Sequence, residues 1–114
     1  MKKTNRKAVI NIEVQLNENN VPEVMSWTAT DNENKENYAK AILVSLWDFD
    51  KKNSFNIDLW TKDMPVEEMK FFIFQNLLKM SGVLEKSTGD KNLVDSMKKF
   101  SEKFGKEANL IKNE

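Results

Sequence analysis

Four aspartates, Asp48, Asp50, Asp58 and Asp63, are the residues whose type and spacing could support catalysis. They lie near one end of a predicted β-hairpin and near the strand-to-helix junction that follows. Two carboxyl groups in different environments can divide the roles of general acid and general base. Solvated strand and turn positions are the competing interpretation, because lysines are interspersed with these acids and the chain has no histidine or cysteine. A carboxylate-dependent small-molecule hydrolase is thus one alternative function, and it requires Asp48, Asp58 and a further acid to converge in a pocket.

Other chemical sites have weaker support in the sequence. Residues 31–34 read Asp-Asn-Glu-Asn and offer oxygen ligands, but they lack the glycine and the distal glutamate of a calcium-binding loop. Zinc, copper and haem sites lack their usual imidazole or thiolate ligands. We expect neither a metal nor a cofactor, and no catalytic residues.

The charge distribution does not favour nucleic acid as a partner. The 18 basic and 18 acidic side chains give a net charge of zero, so no overall field attracts a polyanion. The lysines at 98, 99, 103 and 106 are interpreted as a solvated helix face, because no base-stacking aromatic residues are interleaved with them.

The sequence also bears on the cellular compartment. The basic start, residues 1–7, resembles the positive region of a secretion signal, but Asn11, Glu13 and Gln15 interrupt the apolar run that should follow. We therefore expect no signal peptide. No run of about 18 apolar residues is present, so we expect no membrane insertion. The absence of cysteine fits a reducing compartment, and the cytoplasm is the expected location.

Apolar residues with a period of two predict four strands. The clearest alternation places Ile10, Ile12, Val14 and Leu16 on one side, and the next strand places Met25, Trp27 and Ala29 on one side. The wholly polar residues between the second and third strands are interpreted as a mobile loop. The predicted strands are residues 10–16, 24–30, 39–49 and 54–61, and the loop is 31–37.

The last two strands are predicted to form a hairpin with a three-residue loop, residues 51–53. This register places Phe49 opposite Phe55 and Trp47 opposite Ile57. Asn53 is expected to adopt the left-handed conformation that such a loop requires.

A change of apolar period from two to about 3.6 predicts a strand running into a helix near Pro65. Asp63 or Met64 is expected to cap this helix, and residues 87–90 are expected to separate it from a second helix. The second helix should pack through a narrow seam of Leu93, Met97, Phe100 and Phe104. Gly82 suggests a close approach to a neighbour, and Gly105 is predicted to end or fray the second helix.

These elements predict an α+β fold. We expect one four-stranded antiparallel sheet in the order β-β-β-β-α-α, with the two C-terminal helices packed on one face. The length of 114 residues predicts a single domain, with flexible tails at 1–7 and 106–114.

The third predicted strand is apolar on both sides, which suggests a protein interface. Ile42, Val44 and Leu46 share one side, and the predicted register adds Trp60 to it. Two helices can cover only one face of a four-stranded sheet, so this patch is either covered by loops of the same chain or meets another chain, and we favour the second. The predicted interface consists of Ile42, Val44, Leu46 and Trp60, with Asp48 and Asp58 as its polar rim.

The same residues carry a family resemblance. The chain resembles the GldC family of gliding motility-associated proteins of the Bacteroidota, from the first strand to the second helix. The most specific run is Leu-Trp-Thr-Lys-Asp-Met-Pro at residues 59–65. The resemblance also rests on Leu46-Trp47-Asp48, Ile57-Asp58, Val66, Met69, Phe72, Gln75, Met97, Phe100 and Phe104.

The resemblance implies a cytoplasmic, non-enzymatic accessory or assembly protein of the gliding machinery. It implies protein partners in the gliding apparatus, and the apolar patch adds an expected homo-oligomer. The predicted strand order is also similar to that of SecB-like export chaperones, so a chaperone that binds unfolded clients is a further alternative.

Overall fold

The computed structural model describes residues 6–112, which form five strands, one 3-10 turn and two α-helices. The strands lie in one compact unit that ends at Met64, and the helices lie in a second that begins at Pro65. The single-domain organisation and the flexible tails stay predictions; residues 1–5, 113 and 114 lie outside the described residues. The elements are β1 (Ile10–Leu16), β2 (Pro22–Ala29), β3 (Asn37–Ala39), β4 (Ala41–Trp47), β5 (Ser54–Trp60), α1 (Val66–Thr88) and α2 (Lys91–Glu107).

The first three strands form an antiparallel sheet in the order β1-β2-β3. Ile12 lies opposite Trp27 and Val14 lies opposite Met25, so the apolar residues of β1 and β2 share one face, as predicted. Met25 is 1% exposed and is the most buried apolar side chain among the described residues.

The predicted single four-stranded sheet is wrong, because five strands form a three-stranded and a two-stranded sheet. Part of the predicted polar loop reverses the chain through a 3-10 turn, Thr30–Asn32, after which Glu33 and Asn34 have positive φ angles of 55° and 58°. The reversal allows the three residues of β3 to pair with β2. β3 has three residues, which is too short for an alternation of apolar and polar residues to be recognised from the sequence.

The predicted strand at 39–49 is divided at Lys40. Ala39 pairs with Met25 in the first sheet, whereas Ala41 pairs with Trp60 in the second. The backbone N–H of the buried Thr61 donates to the Lys40 carbonyl at 2.9 Å, which continues the β4–β5 ladder by one pair. The chain therefore passes from one sheet to the other at a single residue.

The β4–β5 hairpin has a different register from the predicted one. Trp47 lies opposite Ser54 and not opposite Ile57, a difference of three residues. The connection is a longer turn in which the Asp48 carboxylate accepts from the backbone N–H groups of Asp50 at 3.0 Å and Lys51 at 2.8 Å. An aspartate that binds the backbone two residues ahead initiates a turn of its own. The left-handed residue is Lys52, with φ 50°, and not Asn53.

The N-cap of α1 is Pro65, one or two residues later than the predicted Met64 or Asp63. Gly89 ends α1 in the left-handed conformation, with φ 66°. Asp90 then caps α2, since its side chain accepts from the backbone N–H of Leu93 at 3.2 Å. The predicted break between the helices is confirmed at Gly89 and Asp90, whereas Ser87 and Thr88 belong to α1.

Small residues permit the two helices to approach. Ser101 and Gly105 of α2 and Ser81 of α1 are buried, and each buried serine hydroxyl donates to a carbonyl of its own helix. A Cβ at Gly105 would lie 2.7 Å from Phe74 Cε1. Gly105 therefore lies within α2 and permits a close contact, while a Cβ at Gly82 would meet no described atom within 4 Å.

The buried seam of α2 is not the predicted one. Val94, Ser101 and Gly105 are buried, whereas Leu93 and Phe100 are exposed. Leu93 and Phe100 each precede a buried residue by one position. One position corresponds to a rotation of about 100° around the helix axis, so the buried face is rotated by that angle from the predicted seam. The predicted packing of both helices on one sheet face stays a prediction.

Candidate protein-interaction surface

The β4–β5 hairpin has one face made only of apolar side chains. Ile42, Val44 and Leu46 alternate along β4, and the register places an apolar residue of β5 directly opposite each of them. Opposed residues on an antiparallel pair project to the same face. We name this surface the Leu46 face; it comprises Ile42, Val44, Leu46, Phe55, Ile57 and Leu59.

The Leu46 face becomes more exposed toward the turn. Ile42 and Leu59 are half-buried, whereas Leu46 is 54% exposed and its partner Phe55 is 62% exposed. Beyond them Phe49, in the turn, is 98% exposed. Exposed single apolar residues are common, but a contiguous group of them marks an interaction site or an aggregation risk.

The structure brings together three of the four predicted apolar interface residues. Trp60 is the exception, because it lies opposite Ala41 and therefore projects to the other face of the hairpin. The prediction that Trp60 shares a side with Ile42, Val44 and Leu46 was wrong, because it depended on the incorrect register. Trp60 is 53% exposed, so it belongs to a second exposed surface.

This second surface mixes apolar and polar side chains, and we name it the Trp47 face. Leu43 and Trp47 of β4 project to it, and Leu43 lies opposite Asp58. Between them the Ser45 hydroxyl donates to Asn56 Oδ1 at 2.8 Å. The predicted polar-rim residue Asp58 therefore borders this face and not the Leu46 face.

Asp48, the other predicted rim residue, lies just beyond the end of β4 on the side of the turn. Its carboxylate binds the turn backbone, and its own N–H donates to the Asn53 carbonyl at 2.9 Å. Asp48 therefore holds the end of the hairpin in place.

The predicted register placed Phe55 and Ile57 opposite Phe49 and Trp47, so sequence reasoning missed that these two residues and Leu59 lie on the Leu46 face. Their alternation is visible in the sequence, but β4 is apolar on both sides. An apolar pattern fixes a register only where one face is polar, so this pattern fits two opposite assignments. The turn begins with Asp48, and an aspartate favours the start of a turn because its side chain can accept from the backbone ahead of it. This signal could have decided between the two assignments.

The geometry does not assemble the acidic site that a hydrolase would require. Asp58 lies opposite Leu43, five residues from Asp48 along the strand, which separates the two backbones by roughly 16 Å. None of the clefts described within residues 6–112 contains both acids. Over the same residues no group of three acidic side chains is placed to hold a metal ion.

A polar cleft of about 260 Å³ lies on the three-stranded sheet, on the face opposite the one to which Met25 projects. Tyr38 borders it and donates a hydrogen bond to Glu36 Oε1 at 3.0 Å. That hydrogen bond and the negative charge of Glu36 raise the pKa of Tyr38 above its ordinary value of 10.0. The remaining lining residues are Glu13, Val14, Gln15, Val24 and Ser26.

Within the described part of the chain, neither helix is apolar over enough of its length to cross a membrane.

The chain matches the model of a known protein family. A family model described as gliding motility-associated protein GldC-like matches residues 22–110, which is most of the chain. The comparisons with curated proteins and with solved structures each gave no significant match. The matched range includes the whole β4–β5 hairpin and both helices.

Proposed function

Because the chain belongs to the GldC-like family of gliding motility-associated proteins, we propose that it is a non-enzymatic accessory or assembly component of the gliding machinery. It acts in the cytoplasm through protein–protein contacts, with protein partners in the gliding apparatus and with further copies of itself. The Leu46 face is the contact surface.

The exposed, uniformly apolar Leu46 face is the observation that supports this proposal. Leu46 and Phe55 form a cross-strand pair that is more than half exposed, and no polar side chain lies on this face of the two strands. A two-stranded sheet is marginally stable alone in water, and a covering chain would remove apolar area from water at about 25 cal/mol per Å². Contact therefore gives this surface both a stabilising and a functional role.

A chaperone for unfolded clients would use the same surface differently. A chaperone binds many extended apolar segments weakly, whereas an assembly component binds one partner at a defined register. We favour the assembly role because family membership associates the chain with motility. Binding of a permanently unfolded model protein with an affinity equal to that for the gliding partner would favour the chaperone instead.

The double substitution L46K/F55E tests the proposed contact surface in gliding cells. The two residues are opposed, so the new charges can pair with each other across the strands and preserve the hairpin while making the face polar. We expect a strain carrying L46K/F55E as its only copy to lose colony spreading.

The matched control is S54K/N56E, two neighbouring residues of β5 that project to the Trp47 face. We expect it to retain spreading at an equal protein level. Normal spreading by L46K/F55E, or equal loss by both variants, would contradict the assignment of function to the Leu46 face.

A further inference from the structure

The backbone of β4 has a free hydrogen-bonding edge whose position follows from two hydrogen bonds. Asp48 N–H donates to Asn53 O, and Thr61 N–H donates to Lys40 O, each at 2.9 Å. Both bonds belong to the same register, and in an antiparallel pair alternate residues direct their N–H and C=O groups at the partner strand. The even-numbered residues of β4 thus bind β5, and the odd-numbered residues, Ala41, Leu43, Ser45 and Trp47, direct their backbone groups away from it.

The residues of β4 include none of the types that prevent pairing with another chain. Within residues 6–112, β4 pairs with β5 alone, and its seven residues include no charged residue and no proline. Natural sheets protect exposed edges with lysine, proline, bulges or short strands. The outer edge of β5, by contrast, contains the charged Asp58 among its outward-directed residues.

We propose that β4 pairs antiparallel with β4 of a second copy of this chain, about a two-fold axis at Val44. This inference rests on the proposed function, and the partner of the hairpin is the hairpin of a second copy. The product is a four-stranded sheet in the order β5-β4-β4-β5.

The backbone selects this register. With Val44 opposite Val44 of the second copy, Ala41 pairs with Trp47 and Leu43 pairs with Ser45, so all four outward-directed residues of each β4 form hydrogen-bonded pairs. Any other two-fold register that matches these residues leaves at least one of them unpaired. A two-fold interface is isologous, so the same strand must be complementary to itself.

The side chains agree with the backbone. Ile42 lies opposite Leu46 of the second copy, and Val44 lies opposite itself, so the Leu46 faces of the two copies become one apolar surface. On the other face the small Ala41 lies opposite the large Trp47. No charge is opposed to a like charge at any pair, since β4 carries none.

Proline substitution at one residue of a cross-strand pair tests the edge. Ser45 and Asn56 are opposed and share a side-chain hydrogen bond, and both direct their backbone N–H away from the β4–β5 ladder. S45P and N56P each remove that side-chain bond and one outward N–H, but only S45P blocks the β4 edge. By light scattering we expect dimers for the wild type and N56P, and half that mass for S45P.

A dimeric S45P, a monomeric N56P beside a dimeric wild type, or a wild type that is monomeric at all concentrations would overturn the inference. A monomeric wild type whose L46K/F55E variant still loses gliding would leave the proposed function in place with a different partner. The two proposals therefore fail separately.

A cysteine test does not depend on the folding of the proline variants. The chain has no cysteine, so V44C introduces a single thiol. In the proposed register Val44 forms a non-hydrogen-bonded pair with Cα atoms about 4.5 Å apart, within the range for a disulfide. We expect V44C to form a disulfide-linked dimer under mild oxidation.

I57C is the control, because Ile57 lies opposite Val44 on the same face but one strand outward. Its counterpart in the second copy would be roughly 14 Å away, three strand spacings, so we expect no cross-link. Equal cross-linking of I57C, or none of V44C, would contradict edge pairing.

Discussion

At the scale of single residues, Asp48 determines much of what the hairpin can do. Its carboxylate holds the backbone N–H groups of Asp50 and Lys51, which lengthens the turn and moves the register by three residues from the predicted one. The register then decides that Leu46 meets Phe55 and that Trp60 projects to the opposite face. Through the turn and the register, the Asp48 side chain thus decides which apolar residues share a face, an assignment that the sequence alone left open.

Tyr38 gives a prediction at the same scale, because it is the chain's single tyrosine and its ionisation can be followed by the absorbance of tyrosinate. The Glu36 carboxylate raises the pKa of Tyr38 above 10.0. The folded state thus binds this proton more tightly than the unfolded state, and the free energy of unfolding falls as pH rises from 10.0 through the raised pKa.

We expect the titration midpoint of Tyr38 to fall toward its ordinary value in E36Q, because the charge that opposes ionisation is removed. E33Q changes a neighbouring exposed glutamate and should leave the midpoint where it is. An unchanged midpoint in E36Q would show that the negative charge of Glu36 does not control this ionisation.

At the scale of elements, a periodic pattern of apolar residues predicted the long strands and helices, but it could not predict the three-residue β3. The alternation at 10–16 predicted β1 with its correct bounds, and the change of period near Pro65 predicted α1. β3 could not be predicted, because three residues pair through a turn built by Glu33 and Asn34. Of the candidate site, the sequence yielded the β4 half but not its β5 partners.

The helical hairpin supports a matched test of two glycines. Gly105 is buried, and an added Cβ would lie 2.7 Å from Phe74 Cε1 and 3.1 Å from Ile111 Cγ1. We expect G105A to lower the free energy of unfolding by about 1–3 kcal/mol through overpacking. Urea unfolding followed by helical circular dichroism measures the change.

G82A is the control, since a Cβ at Gly82 meets no described atom within 4 Å and alanine favours the helix by about 1 kcal/mol. We expect G82A to be stabilising. A G105A variant as stable as G82A would show that the helices do not approach as closely as the structure indicates.

At the scale of the whole molecule, the proposed function depends on contact with another chain. The acids that a hydrolase would need are separated along the hairpin, whereas apolar residues that share a face are exposed together. The family match associates the chain with gliding motility. The central claim is that another chain covers the Leu46 face in the cell.

Thiol labelling of L46C and W60C in native extracts of gliding cells tests this claim most directly. Leu46 is 54% exposed and Trp60 is 53% exposed, so the chain itself protects the two positions equally, but they lie on opposite faces of the hairpin. We predict that a maleimide labels L46C several-fold more slowly than W60C in the extract, and that this difference disappears after denaturation. Equal labelling rates in the native extract would contradict the account.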